Sequence, residues 1–311
     1  MTPLEKRLEE YLELRRSLGF KLEYAGQELR QFLCFIQRAK ASHITTKLAL
    51  EWATLSGRCR PVRWSERLGI VRRFARYLSA IDPRTEIPPD GLLKHRHHRK
   101  SPYFYIDHEV VKLIQSAQKM PSPKGIRAAS YSTLFGLIGA TGMRLGEAVG
   151  LDLKDVDLDQ GLLKVRPAKF HKSRWVPLHS TTIAKLRQYL QLRNDIFPDS
   201  ICPSFLLSEQ DTRLTVWAVR RWFIILSRQI GLRHPDDHRG PRIHDLRHRF
   251  VIQTLCKWYR TGEDVEAHLP ELATYVGHSH IKETYWYISA TPELLLLATK
   301  RLEAKQGKAF S

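Results

Sequence analysis

The residues Ala140-Thr-Gly-Met-Arg144-Leu-Gly-Glu147 predict a break between two helices. Thr141 and Gly142 end the first helix, and Arg144 lies at the start of the second, where free backbone amides favour an anion. A planar guanidinium at this position can hold a phosphate through two parallel hydrogen bonds. Glu147 can orient the arginine, although an Arg/Glu pair at this spacing is more often an ordinary surface ion pair.

The chain is strongly basic. It has 51 Lys and Arg against 32 Asp and Glu, a formal net charge of +19. Residues 1–100 contain 21 basic and 11 acidic residues, and the remainder contains 30 basic and 21 acidic residues. Basic residues are therefore in excess in both parts of the chain. This balance favours a polyanionic partner, and nucleic acid over a membrane. The longest aliphatic run, 294–298, is far shorter than the roughly 20 residues of a membrane span, so we expect no membrane partner.

Cysteine usage and the N-terminal sequence predict a reducing environment. The first thirty residues are charged and contain no apolar signal segment. No CxxC pair occurs among the four cysteines, which are Cys34, Cys59, Cys202 and Cys256. We therefore expect a cytoplasmic, nucleoid-associated protein.

Residues 1–81 are predicted to form a helical domain. A capping box at Thr2 and Glu5 begins the first of four amphipathic helices. On the fourth helix, Arg72, Arg73 and Arg76 lie away from the apolar stripe. This face either follows DNA phosphates or is a solvated helix surface.

A basic linker is predicted over residues 82–105. Its core is the run from Lys94 to Lys100, which contains three histidines. These residues, His95, His97 and His98, have no nearby cysteine or carboxylate to complete a metal site. A basic strap on DNA is the favoured interpretation, and no metal or cofactor is expected.

Residues 106–311 are predicted to form a mainly α domain with a small antiparallel sheet. The strand-prone runs are 156–158, 162–166 and 174–177. A final helix with an apolar face is predicted after Pro292.

Several further segments of this domain present groups that bind phosphate or move protons. Lys169 and Lys172 lie in a hairpin loop, from which a lysine can donate a proton to a leaving alkoxide. His244 and Arg247 share one face of a helix. Tyr287 follows soon after a Gly-His pair that ends another helix.

The order of these groups resembles the catalytic set of the tyrosine recombinases, or phage integrase family. The motifs are ATGMRLGEAVGL (140–151), KFHKSRWVPLH (169–179), HDLRH (244–248) and VGH (276–278) followed by a tyrosine. The resemblance covers residues 107–290 in detail, and the N-terminal helices resemble the family's core-binding domain. It implies that residues 1–81 bind DNA, that residues 106–311 are the catalytic domain, and that the two form a C-shaped clamp on duplex DNA. In this family a C-terminal segment often docks on a neighbouring subunit, so the helix after Pro292 docks either there or on its own domain. The residues that match the family's catalytic positions are Arg144, Lys169, His244, Arg247, His278 and Tyr287.

The resemblance implies a role for each group. The two arginines would bind the scissile phosphate, and the two histidines would hydrogen-bond it and assist proton movement. Lys169 would protonate the 5′ oxygen. Tyr287 would attack phosphorus without a metal and form a 3′-phosphotyrosine. The implied function is site-specific recombination of a mobile element. The implied partners are duplex DNA with inverted repeats, further copies of the chain (dimer to tetramer), and accessory recombinases.

Alternatives remain open at this point. Lys169 is followed by Phe170 instead of the more frequent glycine, and Lys172 and Tyr285 are rivals for the acid and the nucleophile. The same chemistry would serve a nicking-closing enzyme that resembles the type IB topoisomerases. A DNA-binding regulator that keeps the fold without catalysis is the alternative outside the enzymes.

Overall fold

The computed structural model describes residues 2–55, 61–93, 102–166, 173–237, 240–288 and 291–309, with side chains up to residue 303. The chain forms two compact units, the first ending at residue 100 and the second beginning at residue 101. No helix in the described ranges is long and apolar enough to cross a membrane.

The first unit is built from four helices. The predicted capping box is present, because Oγ1 of Thr2 accepts from the Glu5 amide and the Glu5 carboxylate accepts from the Thr2 amide. Phe32, Trp52 and Phe74 are buried in its core. The helices are α1 (Pro3–Ser17), α2 (Glu23–Arg38), α3 (Thr46–Thr54) and α4 (Pro61–Leu78).

Arg72 on α4 anchors the segment that follows the helices. Its guanidinium donates to the carbonyl oxygens of Pro88 (2.6 Å) and Pro89 (2.7 Å) and lies 2.8 Å from a carboxylate oxygen of Asp90. This side chain therefore binds protein groups, whereas the sequence interpretation offered only phosphates or solvent. The run 94–100, with its three histidines, lies outside the described residues.

The second unit is mainly helical with one small sheet, as predicted. In the sheet, Leu162 pairs with Pro177 and Val165 with Arg174, both antiparallel, and β1 pairs with the other side of β2. The strands are β1 (Val156–Asp157), β2 (Leu162–Val165) and β3 (Arg174–Pro177). The helices are α5 (Asp107–Gln118), α6 (Ile126–Thr141), α7 (Leu145–Val149), α8 (Ser180–Ile196), α9 (Val216–Gln229), α10 (Ile243–Thr261), α11 (Val265–Val276), α12 (Lys282–Ile288) and α13 (Pro292–Ala309).

Two apolar clusters stabilise the second unit. The larger cluster surrounds α6, where Leu134 and Phe135 are fully buried. The smaller cluster joins α10 to the C-terminal helices and includes Leu255, Tyr287 and Leu294. Helix α10 contributes residues to both clusters, and this helix carries HDLRH. Its position is thereby fixed by apolar burial on two sides.

The final helix, α13, packs on its own domain. Leu294 is fully buried, Glu293 forms an ion pair with Arg260, and Arg301 donates to the Glu263 carbonyl oxygen. This arrangement is one of the two that the sequence left open. Leu295, Leu296 and Leu302 of the same helix are exposed.

Candidate active site

Arg144 lies between two helix ends, where the sequence placed it. Gly142 caps α6 with a positive φ of 63°, and Arg144 is the residue immediately before α7. Nη1 of Arg144 donates to Glu147 (2.8 Å), and Nη2 donates to the carbonyl oxygen of Gly277 (2.6 Å). The guanidinium therefore joins the start of α7 to the end of α11.

Glu147 holds two arginines at once. Its carboxylate accepts from Arg144 and also from both terminal nitrogens of Arg174, at 3.1 and 2.8 Å. Burial raises the pKa of Glu147, but the hydrogen bonds and charges of the two guanidiniums outweigh burial and bring that pKa to about 2. Glu147 is therefore an ionised bridge and not a surface ion-pair partner, since its side chain is only 5% exposed.

Arg174 was missed as a site residue by the sequence interpretation. It lies at the start of β3, and its Nε donates to the carbonyl oxygen of Tyr275 (2.8 Å), the next-to-last residue of α11. A Cβ atom built on Gly277 would lie 2.6 Å from Nη1 of Arg174. The side chain therefore connects the hairpin to the helix end that carries His278.

Arg247 is a buried guanidinium with unused donor capacity. It is 1% exposed, and its Nη1 donates to the carbonyl oxygen of Gly142 (2.7 Å). Its buried Nη2 has no hydrogen-bond partner among the described residues. Burial and the nearby charge of Arg144 lower the pKa of Arg247 to about 10, so the group remains cationic at neutral pH. Since an unpaired buried donor is costly, an anion at Nη2 would be strongly favoured.

His244 lies one helical turn before Arg247 near the start of α10. Burial by the surrounding protein, followed by the charge of Arg247, lowers the pKa of His244 to about 4, although the residue also contacts solvent. Both causes act against protonation, and the imidazole is therefore neutral at neutral pH.

His278 and Tyr287 are stacked on each other. His278 follows Gly277, which ends α11 in the left-handed conformation, and its Nδ1 is 2.8 Å from Oγ1 of Thr284 on α12. The His278 and Tyr287 rings are 6.1 Å apart at an interplanar angle of 14°. The structure therefore brings these two predicted residues together.

Tyr287 is the buried tyrosine of α12. Its side chain is 1% exposed, and its hydroxyl is 2.7 Å from Nδ1 of His248. His248 directly follows Arg247 in the chain, so the phenol contacts the residue next to the buried guanidinium. The rival Tyr285 is 46% exposed. His248 is a second residue that the sequence interpretation did not assign.

Lys169 and Lys172 lie outside the described residues. The two strands that flank them are described, and Val165 pairs with Arg174 where their loop leaves the sheet. Arg174 in turn binds Glu147. The described residues on either side of the two lysines, Val165 and Arg174, are therefore paired with each other, and Arg174 contacts Glu147.

The chain is similar to named recombinases over nearly its whole length. Residues 105–293 match the phage integrase family. A protein of Sinorhizobium fredii named as the integrase/recombinase y4rB is 45% identical over 98% of both chains. Tyrosine recombinase XerC of Pelobacter propionicus is 26% identical over 95% of this chain and 94% of its own. These names do not favour the topoisomerase-like or regulatory alternatives.

The fold is shared with a solved recombinase complex. The structure of a lambda integrase (75–356) dimer bound to a COC′ core site matches with a TM-score of 0.61 and 18% identity, over 90% of this chain and 96% of that chain. Fold and site together define a DNA breaking-and-rejoining enzyme. The chain belongs to the phage integrase family of tyrosine recombinases.

Proposed function

We propose that this enzyme moves a mobile element by integration, excision or transposition, through a metal-independent transesterification in which Tyr287 forms a 3′-phosphotyrosine. One observation carries the proposal. Arg247 is buried with a donor that lacks a partner among the described residues, and the next residue, His248, contacts the Tyr287 hydroxyl at 2.7 Å. A phosphodiester at that donor would satisfy the guanidinium and lie near a nucleophile.

Each predicted site residue has a task in this reaction. Arg144 and Arg247 bind the non-bridging oxygens and offset the extra negative charge of the pentacoordinate transition state. The neutral imidazole of His244 and the ring of His278 provide hydrogen bonds to the same phosphate. Lys169 protonates the 5′ oxygen as it leaves, which prevents release of a strongly basic alkoxide.

The covalent link makes the reaction reversible without a nucleotide cofactor. The phosphotyrosine is itself a phosphodiester, so the 5′-hydroxyl of another strand can attack it and release Tyr287. Exchange of partners between the two steps recombines the strands. No P-loop pattern, G-x-x-x-x-G-K-[ST], occurs in the sequence.

The DNA partner is a duplex with inverted half-sites, bound by a dimer or tetramer of the chain. The net charge of +19 supports DNA binding that depends on phosphate contacts and weakens with salt. The lambda integrase structure is a dimer on its core site, which supports assembly on DNA. Residues 1–81 serve as a DNA-binding domain and residues 106–311 as the catalytic domain.

The test is covalent trapping on a nicked duplex from which the short 5′ fragment diffuses away after cleavage. Wild-type protein should form an adduct that survives denaturation, and Tyr287→Phe should form none. Tyr285→Phe is the matched control, since it removes a neighbouring hydroxyl, and should retain the adduct. An adduct in the Tyr287→Phe protein, or its absence in wild-type protein that binds the duplex, would show that the proposed mechanism is wrong.

A further inference from the structure

The hydroxyl of Tyr287 is in direct contact with a histidine outside the predicted catalytic set. Nδ1 of His248 lies 2.7 Å from the hydroxyl oxygen, and the ring centroids are 5.4 Å apart. Both side chains are buried, with 7% of the His248 side chain exposed. A short contact in a desolvated place fixes the geometry of proton transfer more firmly than an exposed contact would.

Asp245 favours one tautomer of His248. Its Oδ1 lies 3.9 Å from Nε2, which is not the ring nitrogen that contacts Tyr287. The carboxylate is itself held by the backbone amide and the guanidinium of Arg242, both at 2.8 Å. A negative charge near Nε2 favours the proton there, which leaves the lone pair of Nδ1 to accept from the phenol.

We propose that His248 is the proton acceptor for Tyr287 during DNA cleavage and returns the proton during rejoining. This inference rests on the proposed function and deepens it. Asp245, His248 and Tyr287 then form a series in which a carboxylate orients an imidazole and the imidazole activates a hydroxyl. A phenol has an ordinary pKa near 10, so an adjacent base substantially raises its reactivity at neutral pH.

The proton transfers balance over the full cycle. In cleavage the Tyr287 O–H bond breaks, a proton joins Nδ1 of His248, and the phenol oxygen bonds to phosphorus. The P–O5′ bond breaks, and the 5′ oxygen takes a proton from Lys169. In rejoining the 5′-hydroxyl returns its proton to Lys169, and His248 protonates the departing Tyr287 oxygen.

The first experiment measures the rate of adduct formation on the nicked duplex with His248→Asn. The side-chain oxygen of asparagine can accept the same hydrogen bond but cannot take the proton at neutral pH. Loss of a general base costs about 10²–10⁴-fold, so we expect a decrease of at least about 100-fold with duplex binding retained. His268→Asn, which makes the same change on α11, is the matched control and should react at the wild-type rate.

The second experiment separates proton transfer from simple positioning of the ring. Replacing Tyr287 by 3,5-difluorotyrosine gives a more acidic phenol, which depends less on a base. The ratio of wild-type to His248→Asn rates should then decrease by at least about tenfold. If His248→Asn fails to fold, Asp245→Asn tests the same three residues. Its rate of adduct formation should be at least about tenfold lower than that of wild type when residue 287 is tyrosine. The rate should return toward the wild-type value when residue 287 is difluorotyrosine.

The outcomes are distinguishable from failure of the proposed function. If the wild-type protein forms no adduct, the covalent mechanism itself is wrong. If the wild-type protein forms an adduct and a folded His248→Asn protein forms it as fast or faster, only the role of His248 is wrong. An equal loss with tyrosine and with difluorotyrosine would mean that His248 positions Tyr287 without accepting its proton, which also overturns the proposal.

Discussion

The carbonyl oxygen of Gly142 accepts a hydrogen bond of 2.7 Å from Nη1 of Arg247. This carbonyl belongs to the residue that caps α6, where main-chain oxygens lack helical partners. One edge of the guanidinium is therefore fixed by the helix end. The Nη2 donor has no partner among the described residues.

Arg247→Lys should reduce the rate of adduct formation by about 10²-fold or more. A planar guanidinium can donate to the Gly142 carbonyl oxygen and to a phosphate at the same time, whereas the ammonium group of lysine lacks this fixed geometry. Affinity for intact duplex should change little, because most of the affinity comes from other phosphate contacts. Single-turnover cleavage and a binding titration measure the two effects. Arg187→Lys, at an exposed position paired with Asp159, is the control; an equal loss there would argue against a specific role.

Glu147→Gln should destabilise the protein by about 3 kcal/mol, because two guanidiniums lose their buried counter-charge. The folded pKa of about 2 lies below the ordinary 4.5, so the stabilisation is fully present above pH 4.5 and is lost as pH falls toward 2. Urea unfolding as a function of pH measures both effects. Glu66→Gln breaks an exposed pair with Arg63 and should cost less than about 1 kcal/mol.

Gly277→Ala should reduce both stability and cleavage. The residue has a φ of 73°, and a new Cβ would lie 2.6 Å from Nη1 of Arg174. Gly262→Ala is a matched control, since Gly262 ends α10 with a φ of 76° and has open space around it. Both variants should lose about 1 kcal/mol or more from the backbone, and only Gly277→Ala should also slow cleavage. Equal cleavage by the two variants would exclude a role for this contact.

The His244 imidazole should make stability depend on pH. Its pKa is lowered to about 4 in the folded protein from an ordinary value of 6.5, so the unfolded chain binds a proton more readily between these values. Stability should therefore decrease as pH falls from about 6.5 toward 4. Unfolding measurements should show a smaller decrease for His244→Asn, and identical slopes would contradict the assignment.

Lys169→Ala should strongly slow cleavage of ordinary DNA, because the leaving 5′ oxygen loses its proton donor. A substrate with sulfur in place of the bridging 5′ oxygen has a leaving group that needs no protonation. The Lys169→Ala protein should cleave that substrate at least about tenfold faster than it cleaves ordinary DNA. Lys172→Ala should behave as wild type on both substrates, and the opposite pattern would identify Lys172 as the acid.

The elements that local chemistry determines were predicted correctly from the sequence. The capping box at Thr2 is present, and the three strand-prone runs form the antiparallel sheet within two residues of the predicted bounds. Gly142 and Gly277 end their helices because each adopts a positive φ. These features depend on neighbours a few residues apart, which a sequence shows directly.

Contacts between distant segments could not be predicted in the same way. Arg174 was assigned only to a strand, yet its partners are Glu147 and the Tyr275 carbonyl oxygen. His248 was quoted only as the end of HDLRH, yet it contacts Tyr287 from another helix. No periodicity encodes such pairs, because they depend on how helices pack in three dimensions. The sequence did contain one indication, because His248 is a second histidine one helical turn after the predicted site residue His244.

The close approach of Gly142 and Phe250 limits how the gene can diverge. A Cβ atom at position 142 would lie 2.6 Å from a ring carbon of Phe250, and φ there is 63°. A replacement at position 142 must therefore adopt a left-handed backbone conformation and must also avoid a steric clash with the Phe250 ring. In a randomised library, substitutions at codon 142 should survive selection only together with a smaller residue at codon 250. We therefore expect substitutions at positions 142 and 250 to occur together.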